Sequence, residues 1–322
     1  MYIPSGCGSC VPRKLCPTKR HNYALHLGLN GLIPIEDEEN DKCENFLPLC
    51  CIGSSRVTDK CGISNPQGLV YKVEPNFAYA KYGEFPWTVA IFKCSSSNNN
   101  EHVGGGALIH PKLILTGAHT VDDEHQYVAR FGEWSIQSDA EIYPSKDIAI
   151  DDVFIYGGTF SPENDIAIAV LKEKVTYSDH IRPICLPSAQ DVFVGKQCIA
   201  TGWGTDVRTG DPALYMKRME QTITSRLICN MCYQGLEELP NYMCATAARK
   251  HNICYKDGGS PLACQRNDGS YVLAGIASGG IDCSRTHVPA VYADVAKYIT
   301  WIRQTIELYD IILPILSAIK SN

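Results

Sequence analysis

The hydrophobic residues of most of this chain fall into short runs that turn-forming residues separate. From about Val73 onward, β-branched and aromatic runs recur roughly every ten residues, with glycine, proline, asparagine and aspartate between them. The clearest of these runs are residues 87–92, 113–116, 166–171 and 271–276. This spacing of short apolar runs predicts an all-β domain, either a barrel or a sandwich.

The hydrophobic period changes close to the C-terminal end. A set of apolar residues there follows helical spacing: Val295, Tyr298, Ile299, Ile302 and Ile306. Residues with this spacing line one face of an α-helix, so we expect one amphipathic helix to close the domain. The remaining residues, 307–322, form a C-terminal extension whose apolar stretch is interrupted by Pro314.

The first 51 residues have a different character, because cysteines dominate them. These cysteines are Cys7, Cys10, Cys16, Cys43, Cys50 and Cys51. A segment this short cannot bury a sufficient core by itself, so disulfides are the expected staple. Spacing alone allows many pairings, although the adjacent Cys50 and Cys51 cannot easily bond to each other. Residues 52–72 are rich in turn formers and are interpreted as a linker.

Cysteine usage also predicts the compartment. The whole chain has 16 cysteines, and such a number favours disulfides in a secreted, extracellular protein. Zinc is the alternative, since Cys7 and Cys10 have the spacing of metal ligands, but no second pair follows to complete a site. No secretory signal peptide precedes Cys7, so we expect either a mature form or a truncated sequence.

Charge and hydropathy argue against two classes of partner. The net charge of −6 argues against a nucleic-acid surface, and no apolar stretch approaches the ~20 residues of a membrane helix. Between Cys16 and Cys43 lies a long segment with an acidic run at residues 36–39 and a basic pair, Lys19 and Arg20. The acidic run is interpreted as solvated surface. The basic pair is either solvated surface or a cleavage site for a trypsin-like enzyme, because nicking concentrates in exposed loops.

The stretch from Cys254 to Cys264 reads CYKDGGSPLAC. It resembles the nucleophile loop of chymotrypsin-like serine proteases, whose usual form is Gly-Asp-Ser-Gly-Gly-Pro. In that alignment Asp257 is retained, and Gly258 stands where the nucleophilic serine belongs. A glycine has no side chain that could attack a carbonyl carbon, so the resemblance implies the body of a protease without its chemistry.

Two further motifs resemble the same family and follow in its usual order. The sequence LTGAH ends at His119 and places this residue as the general base, while NDIA contains Asp165 as the residue that orients the base. The resemblance implies a trypsin-like double six-stranded β-barrel with a C-terminal helix at residues 73–306. Ser260 is the alternative nucleophile, but it lies two residues or up to ~7 Å along the chain from position 258.

Other departures from the family pattern surround the missing serine. Lys256 stands where a glycine normally donates an oxyanion-hole N–H. The remaining departures fall on positions that the resemblance assigns to the substrate pocket, namely Asn252, Gly279 and Ala290, whereas Ser278 of the pocket wall is retained. There asparagine replaces the specificity aspartate and cannot pair with a basic substrate side chain as a carboxylate would. Gly279 replaces a tryptophan and Ala290 a glycine, which together indicate a substrate site that no longer works.

The N-terminal segment resembles the clip domain of arthropod clip-domain serine proteases in its sequences CVPRKLC and LCC. This resemblance implies a clip domain at residues 1–51 with the disulfides Cys7–Cys50, Cys10–Cys43 and Cys16–Cys51. For the rest of the chain it implies Cys61–Cys185, Cys198–Cys264, Cys229–Cys244 and Cys254–Cys283. Cys94 and Cys232 stay unassigned. A further bridge of the family is missing, because its positions are Gly104 and Thr120 here.

The resemblance also addresses activation and metal binding. Active members are cut before Ile-Val-Gly-Gly, and the new amine pairs with the aspartate that precedes the serine. Here Lys72 is the matching cleavage candidate, and Asp257 is retained as the acceptor for the amine of Val73. The two glycines that let this segment fold inward are missing, however, and Glu74 and Pro75 in their place argue against its insertion. Residues 133–141 correspond to a loop that binds Ca²⁺ in some relatives, although such carboxylates are otherwise simply solvated. No other metal or cofactor is expected.

The chain is thus identified as a member of the clip-domain serine protease homologues, inactive relatives of trypsin. Membership implies a haemolymph cofactor in innate immunity that assists prophenoloxidase activation and melanisation after an upstream clip protease has cut it. The implied partners are clip-domain proteases, prophenoloxidase and other homologues, with a homo-oligomer as an open alternative. An active endopeptidase and a decoy or negative regulator of the cascade are the competing hypotheses, and a developmental role stays open.

Overall fold

The computed structural model describes residues 32–33, 60–69, 72–73, 78–95, 100–137, 141, 143–158, 160–161, 163–233, 240–248, 252–280, 282–285 and 287–312. The cysteines predicted for the clip domain, its three disulfides and the cleavage candidate Arg20 lie outside these residues. The other cleavage candidate, Lys72, lies in β2 (Lys72–Val73), which pairs antiparallel with β1 (Leu32–Ile33).

The first half of the described chain forms a closed antiparallel barrel. Its strands are β3 (Thr88–Lys93), β4 (Glu101–His110), β5 (Leu113–Thr116), β6 (Tyr127–Phe131), β7 (Lys146–Ile155) and β8 (Ala167–Leu171). They hydrogen-bond in the order β3-β4-β5-β8-β7-β6 and close on themselves. Closure removes the free strand edges that would otherwise be open to pairing with another chain.

The second half repeats this architecture. Its strands are β9 (Gln197–Gly202), β10 (Lys217–Thr224), β11 (Tyr242–Ala247), β12 (Pro261–Gln265), β13 (Tyr271–Gly279) and β14 (Ala290–Asp294), with α1 (Arg226–Cys232) between β10 and β11. They close in the order β10-β11-β14-β13-β12-β9. The all-β prediction is therefore confirmed as a double six-stranded barrel.

A C-terminal helix closes the fold, as the change of hydrophobic period predicted. Helix α2 spans Val295–Glu307 and continues as one π-helical turn over Leu308–Ile312. Asp294 caps its N-terminus by accepting the N–H of Ala296 at 3.2 Å, which satisfies a backbone donor that has no partner within the helix. The apolar stripe is buried against the barrels, and only Ile306 at its end is partly exposed.

The two barrels pack on each other through aromatic side chains and hydrogen bonds. Trp87 and Trp203 are almost completely buried in a core that both barrels share. The indole of Trp203 donates to the carbonyl of Trp134 at 3.0 Å, and the buried hydroxyls of Thr88 and Thr201 lie 2.8 Å apart. This seam positions the loops that form the site described below.

Four disulfides are present in the described chain: Cys61–Cys185, Cys198–Cys264, Cys229–Cys244 and Cys254–Cys283. These are the pairs that the family resemblance implies for this part of the chain. Cys94 and Cys232 are unbonded. A Cβ built on Gly104 would lie 2.6 Å from the Thr120 methyl carbon, so the two positions of the missing bridge do face each other.

Candidate functional site

His119 and Asp165 are brought together by neighbouring strands. His119 follows the end of β5, Asp165 precedes β8, and the register pairs Thr116 with Ala167 at that end. The imidazole Nδ1 lies 2.6 Å from a carboxylate oxygen of Asp165, whose other oxygen accepts the backbone N–H of His119 at 2.9 Å. Asp165 is 5% exposed, and it also accepts the hydroxyl of Ser278. This carboxylate therefore fixes the orientation of the ring.

The other ring nitrogen of His119 points at Gly258. A Cβ built on Gly258 would overlap the imidazole, with Nε2 as the nearest atom. The ring therefore fills the space in which a side chain at position 258 would lie. The Gly258 carbonyl accepts the N–H of Gly105 at 2.8 Å, which ties the loop to β4. Among the described residues, the imidazole is hydrogen-bonded to the orienting carboxylate, and no hydroxyl or thiol is bonded to its other nitrogen.

Ser260 does not supply that group. Its side chain is 1% exposed, and its hydroxyl has no hydrogen-bond partner among the described residues. The residue packs against Gly105 and Gly202 at the seam between the barrels. A buried hydroxyl that is not bonded to the base can neither be activated nor reach a substrate. The geometry thus argues against the alternative nucleophile.

Lys256 adopts a backbone conformation that suits glycine. Its φ of 66° makes it the one non-glycine residue with positive φ in the described part of the chain, and this region is unfavourable for residues with a Cβ. Its ammonium lies 2.8 Å from the carboxylate of Glu101 at the start of β4. The ion pair links the two barrels, and Tyr255 beside it is 73% exposed.

The pocket residues that the resemblance named lie in the second barrel. Asn252 is buried, and its side-chain oxygen accepts from Gln221 at 3.0 Å and from the N–H of Ile253 at 2.9 Å. Ala290 is also buried, whereas a Cβ built on Gly279 would meet no atom within 4 Å. The Asn252 oxygen is thus already occupied, and position 252 itself carries no carboxylate.

Three side chains of this region were missed by the sequence analysis: Lys217, Gln221 and Glu101. The first two lie on β10, where burial alternates strictly along the strand and turns both toward the barrel interior. A charged or amide residue at an inward position of an alternating strand needs a buried partner, so this pattern was the available signal. Glu101 carried no comparable signal, because it is an exposed residue at a strand end.

The loop considered for calcium has two carboxylates close together. Glu133 is buried and accepts the N–H of Trp134 at 2.9 Å, while Glu141 accepts the N–H of Ser135 at 2.9 Å. Burial and the neighbouring Glu141 raise the pKa of Glu133 to about 8. Among the described residues no group of three acidic, histidine or cysteine side chains is placed to hold a metal ion.

Substitution of Gly258 tests whether the ring fills the serine space. We expect Gly258→Ala to destabilise the protein by about 1–3 kcal/mol, because the added methyl overpacks against the imidazole. In a protein that already carries His119→Ala, the same glycine substitution should cost much less stability, because the ring is gone. Urea unfolding of the wild type, the two single variants and the double variant gives the coupling energy. Gly279→Ala is the matched control, since its methyl enters open space. Equal stability of the two glycine variants would contradict the packing.

The raised pKa of Glu133 predicts a pH-dependent stability. The folded chain keeps the proton up to about pH 8, whereas an unfolded glutamate loses it near 4.5. The folded state therefore binds more protons between these values, and its stability falls as pH rises through them. We therefore compare the Tm of Glu133→Gln with that of the wild type at two pH values. The difference, variant minus wild type, should be about 5 °C larger at pH 8.5 than at pH 4. The exposed Glu307→Gln is the control, and a pH-independent difference would refute the assignment.

Comparison with known proteins agrees with this geometry. The trypsin family model matches residues 76–302. The chain is 40% identical to "Inactive CLIP domain-containing serine protease A8" of Anopheles gambiae, a match that covers 93% of this chain and 89% of the relative. It is 34% identical to "Phenoloxidase-activating factor 2" of Galleria mellonella, over 75% and 87% of the two chains.

A solved structure shows the same architecture. Neuropsin, described as a serine protease expressed in the limbic system of mouse brain, superposes with a TM-score of 0.60 at 27% identity. The match covers 71% of this chain and 98% of neuropsin. Closed barrels, disulfides and sequence similarity agree, and the chain belongs to the trypsin family and, within it, to the clip-domain serine protease homologues.

Proposed function

We propose that this protein is a pseudo-protease whose nucleophile position is Gly258. The observation that carries the proposal is the overlap between the imidazole of His119 and any side chain at position 258. A base without a nucleophile cannot start acyl transfer, and loss of the serine from a triad costs on the order of 10⁶ in rate. Similarity to relatives named inactive supports this proposal.

Two further features near Gly258 disfavour substrate turnover. The Lys256–Glu101 ion pair joins the two barrels, and Asn252 replaces the carboxylate that would bind a basic side chain. The two closed barrels, the aromatic core that they share and four disulfides are present in the described part of the chain. A rigid scaffold without turnover is suited to binding other proteins, and the exposed Tyr255, next to Lys256 in the chain, offers apolar area on this surface.

We further propose that the protein acts outside the cell as a cofactor in prophenoloxidase activation and melanisation. Two relatives are named phenoloxidase-activating factors, one from Galleria mellonella and one from Holotrichia diomphalia. The disulfides fit an oxidising compartment, and no helix among the described residues is long and apolar enough to cross a bilayer. Clip-domain proteases, prophenoloxidase and other homologues are the proposed partners, and cleavage at Arg20 or Lys72 by an upstream protease is the proposed trigger.

A fluorophosphonate probe tests the absence of catalysis. We expect no labelling of the cut protein and no hydrolysis of arginyl or lysyl peptide substrates, because among the described residues no hydroxyl is hydrogen-bonded to the imidazole of His119. A trypsin-like protease labelled in parallel shows that the probe is active. Labelling of this protein that His119→Ala abolishes would establish an active endopeptidase and refute the pseudo-protease.

Reconstitution tests the role in the cascade. Purified prophenoloxidase and its activating protease are mixed with the intact protein, with the cut protein, and with variants that cannot be cut at Lys19-Arg20 or at Lys72. We expect the cut protein to raise phenoloxidase activity. The variant that lacks the site used by the upstream protease should leave this activity at its basal level. A decrease would assign the protein as a decoy or negative regulator, and no change would reject the cofactor role.

A further inference from the structure

The carboxylate of Asp257 is fully enclosed at the seam between the barrels. Its exposure is 0%, and its oxygens accept the N–H of Gly204 and the N–H of Cys254, each at 2.8 Å. The second of these oxygens also pairs with the ammonium of Lys217, which is 6% exposed. Burying an ionised carboxylate is costly unless a cation and hydrogen-bond donors match it. In this chain the cation comes from a side chain.

Lys217 is delivered by a rigid element. It is the first residue of β10, pairs with Gly202 of β9, and forms an isolated bridge with Tyr79 on its other side. Because Lys217 occupies a buried position of the alternating strand, its side chain points inward, toward the seam. Its ammonium also donates to the carbonyl of Thr205 at 3.0 Å. The ammonium is thus held between the segment that follows β9 and the loop that carries Asp257.

The loop around Asp257 is fully formed in the uncut chain. Three backbone hydrogen bonds hold it. The N–H of Asp257 donates to the carbonyl of Cys254 at 2.9 Å, and the N–H of Ser260 donates to the backbone carbonyl of Asp257 at 3.1 Å. The N–H of Gly259 donates to the carbonyl of Ala277 at 2.8 Å. These contacts coexist with an intact bond between Lys72 and Val73, which are consecutive residues of β2. No new N-terminus is therefore needed to reach this arrangement.

The space around the carboxylate leaves little room for a second cation. A Cβ built on Gly204 would lie 2.6 Å from the Asp257 carboxyl carbon, and one built on Gly202 would overlap a carboxylate oxygen. Three donors already surround the two oxygens. An incoming amine would have to displace the Lys217 ammonium, which would then lose Thr205 as well and leave a buried charge without a partner.

We propose that Lys217 supplies, from within the chain, the positive charge that the aspartate at this position receives from the new N-terminal amine in cut, active members of the family. The loop of residues 254–260 is consequently held in its final conformation before any cut, and cleavage after Lys72 leaves it unchanged. The effect of such a cut then lies in what it releases or exposes on the N-terminal side. This inference concerns the conformation of the domain and holds whether the protein promotes or damps a cascade.

Hydrogen exchange on the full chain tests the proposal directly. The wild-type protein is measured intact and after cleavage behind Lys72, with the cut verified by fragment mass. We expect amide protection in peptides covering residues 202–206 and 254–260 to agree between the two forms to within about twofold. A rise of about tenfold or more upon cleavage would overturn the proposal, since it would show that the new amine completes the loop.

Removal of the lysine provides the second arm. In intact Lys217→Gln we expect the same peptides to lose about tenfold or more in protection, while peptides from β5 and β8 in the first barrel stay protected. Lys196→Gln, an exposed lysine in the same barrel, should behave as wild type. Protection in Lys217→Gln equal to that of this control would overturn the proposal. If Lys217→Gln does not fold, the comparison of intact and cut wild type decides by itself.

Discussion

The second barrel has to place hydrogen-bond donors and a positive charge around the fully buried carboxylate of Asp257. A charge without solvent contact has to be matched where it lies, and two backbone N–H groups and one ammonium do so. Those donors come from Gly204, Cys254 and Lys217, which lie on separate segments of the second barrel. The condition therefore couples the strand order of that barrel, the close approach of its glycines and the conformation of the 254–260 loop.

The pairing of His119 with Asp165 has a structural reason of its own. The two side chains are hydrogen-bonded although the residue beside the ring is Gly258, which has no side chain. Asp165 is nearly buried and accepts hydrogen bonds from the ring, the backbone of His119 and Ser278, so losing a partner would leave a buried charge less well compensated. The pair now joins the ends of β5 and β8 to β13. Its retention follows from stability and does not require turnover.

The positions that the family resemblance assigns to substrate contact hold no buried charge that has to be matched. Gly258 lacks a side chain, and Gly279 borders open space. Lys256 keeps the left-handed backbone that the loop requires, despite the cost of a Cβ there, and gains an ion pair with Glu101. An exposed ion pair of this kind contributes about 0–1 kcal/mol, so the loop conformation is imposed by the buried contacts around Asp257 and not by Lys256.

Much of the architecture could be predicted from local patterns. The recurrence of short apolar runs indicated a barrel or sandwich, and the helical spacing from Val295 onward indicated α2, because these periods reflect which side of an element is buried. The choice of two barrels and of the disulfide pairs needed family resemblance, since spacing does not determine partners. The alternation along β10 places Lys217 and Gln221 on the inward side and so signals that they need buried partners. Which residues those partners are depends on the opposite wall of the barrel, and the sequence does not give it.

The sequence by itself determined that position 258 has no side chain and that the chain has the apolar spacing of an all-β domain with a final helix. Both are properties of the residues and their order, and no folding arrangement alters them. Only the tertiary structure decided which cation neutralises Asp257 and that Ser260 is buried. Lys217 lies 40 residues away along the chain, and such a pairing depends on strand order and side-chain direction, which three-dimensional closure of the barrel settles.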